Sequence, residues 1–149
     1  MKSLTSIVIL LTAAFALLMV PSSAAIENEH YMHIDRMVMT FEKSDAIVDI
    51  SYDLDPFAKV YVLLLGSRNL EPTFKQILIK FKEVEVIEIG YDHATILLTN
   101  VSRQSGDYYL HDSHELGTSV DIFTFRYPDG STQQLENTRS TQNTFYSET

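Results

Sequence analysis

Apolar and polar positions alternate most cleanly in DAIVDISYDL, where Ala46, Val48, Ile50, Tyr52 and Leu54 share one face and Ile47, Asp49, Ser51 and Asp53 the other. A period of two marks a strand buried on one side. The preceding MHIDRMVMTF is apolar and β-prone, and EKSD between the two supplies turn residues, so a hairpin is expected. In DPFAKVYVLLLGS, Asp55 can cap a helix, Pro56 fits its first position and Gly66 ends it, which predicts a short buried helix. The alternative makes residues 59–65 a central strand. With a helix over 70–82 and a strand over 84–89, that would build a βαβ unit into a mixed sheet.

The helical period is plainer in NLEPTFKQILIKFK. Leu70, Phe74, Ile77, Leu78 and Phe81 recur on one face while Lys75, Gln76 and Lys80 point away, with Asn69 placed to cap and Pro72 in the first turn. EVEVIEIGYDHATILLTNV then predicts two strands around a turn at Gly90 to His93. Its alternation slips at Val86 and Ile87, where a β-bulge would restore it. TSVDIFTFRYPDGSTQQLEN predicts a further hairpin turning at Pro128, Asp129 and Gly130. Beyond Asn137 the chain is polar and is expected to be loose apart from Phe145 and Tyr146. The expected fold is α+β: an antiparallel sheet of about five to six strands with one or two helices packed on one face. Residues 26–137 would form this single domain, and residues 138–149 a polar C-terminal tail.

The first 25 residues follow a different pattern. Lys2 precedes an apolar run from Ile7 to Val20, then come Pro21, the small residues Ser22 to Ala25, and acidic Glu27 and Glu29. This is the layout of a signal peptide. It favours a cut after Ala25 that leaves Ile26 first. The competing reading is an N-terminal membrane anchor, because the uncharged stretch from Ser3 to Ile26 exceeds the roughly 20 residues that span a bilayer. In both readings the domain is secreted or held at the outer face of the cell membrane, touching the membrane only through residues 4–25.

Charge and cysteine content remove several function classes. The chain carries 11 Lys and Arg against 20 Asp and Glu, a formal charge of −9, and Lys2 is the one charged side chain before Glu27. Such a surface repels phosphate, so nucleic acid is excluded as a partner, and so is docking of the folded surface onto anionic lipid. Lys75, Lys80 and Lys82 read as the solvated side of a helix. Without cysteine there is no disulfide framework, no thiolate metal site and no thiol catalysis.

Candidate chemistry is sparse. No nucleophile elbow, phosphate loop or His-Glu-x-x-His motif occurs. Asp49, Ser51, Asp53 and Asp55 alternate like the start of a calcium loop, but Leu54 and Val60 stand where that loop needs glycine and glutamate. The segment YYLHDSHELG offers His111, Asp112, His114 and Glu115. Were it a loop, two imidazoles and a carboxylate could converge on a divalent transition metal such as zinc; the plainer alternative is a solvated polar turn. Asn100 opens an Asn-Val-Ser glycosylation sequon at an expected strand end. The leading expectation is a non-enzymatic binding or envelope-associated protein with protein or glycan partners, to which Tyr31, Tyr108, Tyr109, Tyr127 and Tyr146 near strand ends would contribute. A metal-binding domain built on His111 and His114 is the second reading, and a metal-dependent hydrolase the third.

Overall fold

The computed structural model describes residues 31–148, so the N-terminal segment read as a signal or anchor lies outside the described residues. The expected hairpin forms β1 (Met32–Glu42) and β2 (Asp45–Leu54), with Phe41 opposite Ala46 and Met37 opposite Ile50. Helix α1 (Pro56–Leu65), a 3-10 turn (Ser67–Leu70) and helix α2 (Glu71–Ile77) come next. After them run β3 (Glu83–Ile89), β4 (His93–Thr99), β5 (Ser102–Ser105), β6 (Tyr108–His111), β7 (Glu115–Arg126), β8 (Thr132–Ser140) and β9 (Thr144–Ser147). Six strands form one sheet in the order β3-β4-β2-β1-β7-β8, and three form a small sheet in the order β5-β6-β9. The architecture is α+β and dominated by sheet.

One pairing departs from the expected antiparallel pattern. β1 and β7 run parallel, with Met37 beside Phe123 and Met39 beside Phe125. The sheet is therefore mixed, though not through a βαβ unit at 59–65, because Pro56–Leu65 is helix. The expected bulge in β3 is present as a register shift between Val86 and Glu88. The reading of residues 138–149 as a loose tail needs correcting: β8 continues to Ser140 and β9 pairs with β6, placing Tyr146 beside Tyr109. Tyr146 is buried, and its hydroxyl donates to the Lys43 carbonyl at 2.7 Å, which ties the end of the chain to the hairpin turn.

The core lies on one face of the large sheet. Ile34, Met37, Met39 and Phe41 of β1, Val48, Ile50 and Tyr52 of β2, Ile96 and Leu98 of β4, and Val120, Phe123 and Phe125 of β7 are all buried there. Phe74 of α2 meets Tyr52 with ring centroids 5.2 Å apart, and Tyr146 of β9 stacks on Phe41 at 4.5 Å. One half of the face is thus covered by α2 and the other by the small sheet. All five residues of the expected helical stripe, Leu70, Phe74, Ile77, Leu78 and Phe81, are buried, while Lys75, Gln76 and Lys80 are exposed. The α-helix itself is shorter than the expected 70–82, because the chain turns after Ile77. Asn69 does not cap it. Its amide donates backwards to the carbonyls of Leu65 (2.7 Å) and Gly66 (3.2 Å), closing the C-terminus of α1 instead.

Close approach of β7 to α2 depends on Gly117. A Cβ there would stand 2.7 Å from the Gln76 carbonyl oxygen and 3.0 Å from the Ile77 Cα, both backbone atoms with little room to yield. Gly117→Ala is expected to cost about 1–3 kcal/mol through overpacking. Lys75→Ala, which removes only an exposed 2.7 Å pair with Glu71, should change stability by less than about 0.5 kcal/mol. Urea unfolding of the two variants against wild type checks the difference.

Candidate binding surface

His111 is not in a loop. It ends β6, where the period of two that turns Tyr108 and Leu110 outward turns Tyr109 and His111 into the core. Its ring lies between Phe41 (5.2 Å) and Phe81 (6.4 Å). Nδ1 is 2.9 Å from the Val101 carbonyl, which can only accept, so the proton resides on Nδ1. Nε2 then accepts from the Thr141 hydroxyl at 3.2 Å. Thr141, also buried, accepts at the same oxygen from the His114 amide (2.8 Å), and its own amide donates to the His114 carbonyl (2.9 Å). The segment read as a metal loop is a strand end and turn stapled to the β8–β9 connection.

Three of the four candidate ligands have other partners in this geometry. His114 stacks on Phe81 at 4.5 Å and against His111 at 5.4 Å between centroids, the two imidazole planes 28° apart. Its Nδ1 is 2.7 Å from the Asp112 carbonyl. The Asp112 carboxylate pairs with Arg103 at 3.1 Å. Glu115 is exposed on the first residue of β7. A metal here would have to displace at least one of the His111 hydrogen bonds. Among the described residues, three ligand-type atoms fall within 4.8 Å of one another only at His33, Asp35 and Asp121, on the solvent face of β1 and β7. His33 Nε2 is 2.9 Å from Asp121 and 3.7 Å from Asp35, so ion pairing accounts for that cluster without a metal. Asn100 is exposed with φ 56° in the turn after β4, and its amide donates to Asp45 at 2.9 Å.

The feature that the sequence reading placed wrongly is α1. Its ends are made as expected: the Asp55 carboxylate accepts from the Ala58 amide at 2.7 Å, Pro56 follows, and Gly66 leaves the helix at φ 89°. It is not buried, however. Val62 alone is in the core, with Ala58 packed against the edge. Phe57 is 88% exposed, Leu63 and Leu64 76% each, and Val60, Tyr61 and Leu65 are about half exposed or more. Residues 57, 60, 61 and 64 stand at the i, i+3, i+4, i+7 spacing that normally faces a core, and here they face outward. The one charge on the helix, Lys59, is held by Asp53 at 2.9 Å. A groove of about 480 Å³ runs along its base, lined by Tyr31, Phe57, Tyr61, Leu70 and Thr73 among others.

Single exposed leucines are ordinary, but six large apolar side chains on ten residues are not. Together they present on the order of 700 Å², above the largest apolar patch of a typical soluble monomer. The local cause was legible as composition. What the sequence lacks is any mark that no second layer covers this helix. Comparison with known proteins gave no match to a family, a curated protein or a solved structure.

Two histidines at opposite ends of the electrostatic range test this geometry. Burial holds the His111 imidazole below its usual range, helped by neighbouring His114 and opposed by the Val101 carbonyl and Asp112. Protonation therefore favours the unfolded chain. Stability is present above about pH 6.5 and is lost as pH falls toward the lower folded value. His111→Gln should flatten that acid limb, measured by urea unfolding at a series of pH values. His111→Ala should cost about 2–4 kcal/mol, because it empties the space beside Phe41 and removes the hydrogen bonds to Val101 and Thr141. His33 moves the other way: its hydrogen bond to Asp121, with the charges of Asp121, Asp35 and Asp53, raises it against slight desolvation. Its stabilising share is present below about pH 6.5 and fades as pH rises through the folded value. The imidazole titration followed by NMR should lie above the usual value in wild type and fall in Asp121→Asn.

Proposed function

We propose that this chain is a small non-enzymatic binding domain, exported and either secreted or held at the outer face of the cell membrane, that works through the exposed face of α1. One observation carries the reading: α1 turns a complete apolar stripe away from the domain it belongs to. Such a stripe is stabilised only when something covers it. The N-terminal pattern of Lys2, Ile7 to Val20, Pro21 and Ala25 supports export. On the solvent face of the large sheet the apolar Val38, Ile47, Leu97 and Ile122 are only half exposed and lie among His33, Asp35, Asp49, Asp53 and Asp121. The sheet edges are polar as well: Glu83, Glu85 and Glu88 line β3, which discourages strand-to-strand association. A zinc site at His111 and His114, and a hydrolase built on it, receive less support, because the His111 ring nitrogens are both hydrogen-bonded within the protein.

A photo-activated cross-linker placed at position 63 in the native cellular setting should capture its partner, whereas the same group at Gln104 on β5 should not. Equal labelling at both positions, or none at position 63, would sink this reading. The fold should tolerate the change, since Leu64→Ser, on the same exposed stripe, is expected to shift stability by less than about 0.5 kcal/mol. Val62→Ser, on the buried side, should cost several-fold more, and thermal melts of the two separate the binding face from the supporting face.

A further inference from the structure

We propose that Asn100 carries an N-linked oligosaccharide, added during export before β9 docks onto the rest of the fold. The proposal rests on the export half of the proposed function and is independent of what covers α1. Three observations carry it.

The first is the sequence. Only at Asn100 is an asparagine followed two residues on by a hydroxyl, with Val101 and no proline between. Behind Asn28, Asn69, Asn137 and Asn143 that place is held by His30, Glu71, Arg139 and Phe145.

The second is presentation. Asn100 is exposed, with φ 56° in the turn between β4 and β5, a left-handed conformation that asparagine tolerates. Its backbone is pinned: the Asn100 amide donates to the Asp45 carboxylate at 2.9 Å, and the Val101 and Ser102 amides both donate to the Ser44 carbonyl, at 2.8 and 3.1 Å. The side-chain amide is held far less. Among the described residues its Nδ2 meets one partner, the exposed Glu83 carboxylate, at 3.5 Å. Transfer would join Nδ2 to the anomeric carbon of the first sugar and break that carbon's bond to a polyprenyl diphosphate. The diphosphate leaves with the bonding electrons, and Nδ2 gives up one of its two protons. The sugar then replaces one long surface contact and displaces nothing from the core. The site stands at the Asp45 end of β2, whereas α1 begins just past the other end, so the ten residues of the strand separate them by about 30 Å. A glycan at Asn100 leaves the α1 face open.

The third is timing. In the finished fold Ser102 is buried, and its hydroxyl oxygen is 2.8 Å from that of Tyr146. Tyr146 belongs to β9, the last strand to be synthesised. Until β9 pairs with β6, the hydroxyl that the transfer requires is open; afterwards it is closed. The sequon is therefore usable through nearly the whole of synthesis and unusable in the folded protein.

The experiment translates the full chain in the presence of endoplasmic reticulum microsomes, with protease protection reporting translocation and endoglycosidase digestion reporting the sugar. The expected product is protected and carries one endoglycosidase-sensitive glycan, which is lost in Asn100→Gln and in Ser102→Ala and retained in Ser102→Thr. None of these readouts requires the variants to fold. A protected chain without the glycan, or a glycan that survives Asn100→Gln, would overturn the proposal and leave export standing. An unprotected chain would overturn export and this site together, while cross-linking at position 63 still tests α1. Timing has its own control: the folded, unmodified full chain incubated with detergent-solubilised transferase and its polyprenyl-diphosphate donor should stay unmodified, and modification of that folded chain would overturn the order of events proposed here.

Discussion

An apolar sheet face must be covered, and in this chain the covering material is limited. The alternate residues of β1, β2, β4 and β7 direct Ile34, Met37, Met39, Phe41, Ile50, Ile96, Phe123 and Phe125 to one side. Water must be excluded from all of them at once, because each buried side chain of this size contributes roughly 1.5–3 kcal/mol and none can be left bare without loss. Among the described residues α2 and the small sheet supply most of that cover, with Leu70 of the 3-10 turn and Val62 of α1. The shape of the rest follows. Gly117 has no side chain because α2 must sit close on β7. Tyr146 and His111 are buried because the small sheet forms the other half of the cover. Helix α1, coming between β2 and the 3-10 turn, reaches the core only through Val62, with Ala58 at its edge.

This order of constraints explains what could be read in the sequence. The β1–β2 hairpin, the α2 stripe, the β3 bulge and the Pro128–Gly130 turn are local features, each set by residues within a few positions of one another, and their periods survive in the sequence. The parallel pairing of β1 with β7 joins residues about ninety positions apart, and a register between distant strands leaves no period behind. β9 was missed because Thr144, Asn143 and Ser147 look like tail residues, and pairing with β6 supplies what their propensity does not. The burial of His111 had a signal, since Gly106 and Asp107 mark a tight turn from which a period of two runs inward through Tyr109 to His111. Of the four residues read there as candidate ligands, His111 is buried in the core, His114 half-buried, and Asp112 and Glu115 exposed.

His111 also shows how a polar group becomes part of a core. Its imidazole fills aromatic space beside Phe41 and Phe81 while its two nitrogens join Val101, before β5, to Thr141, after β8. A phenylalanine of similar size would fill the space but remove the hydrogen bonds that the ring makes to the Val101 carbonyl and the Thr141 hydroxyl. Burial favours the neutral ring, because a charged imidazole here would be taken out of water. Among the described residues no buried side-chain nitrogen or oxygen lacks a hydrogen-bond partner. This polar staple is therefore closed, and the small sheet is locked in one register over the core.

Helix α1 is the opposite case, a piece whose sequence the fold does not require. Ten residues are too few for a helix to be stable by propensity alone, and its helicity here comes from Asp55 and Pro56 at one end, Gly66 and Asn69 at the other, and the burial of Val62. None of those supports involves the side chain of Phe57, Leu63, Leu64 or Leu65. Serine, lysine or glutamate at those four positions would leave every one of them intact and lower the cost of exposing the helix to water. Those four side chains are therefore the part of α1 that the described fold leaves unexplained, and it is on them that the proposed binding surface rests.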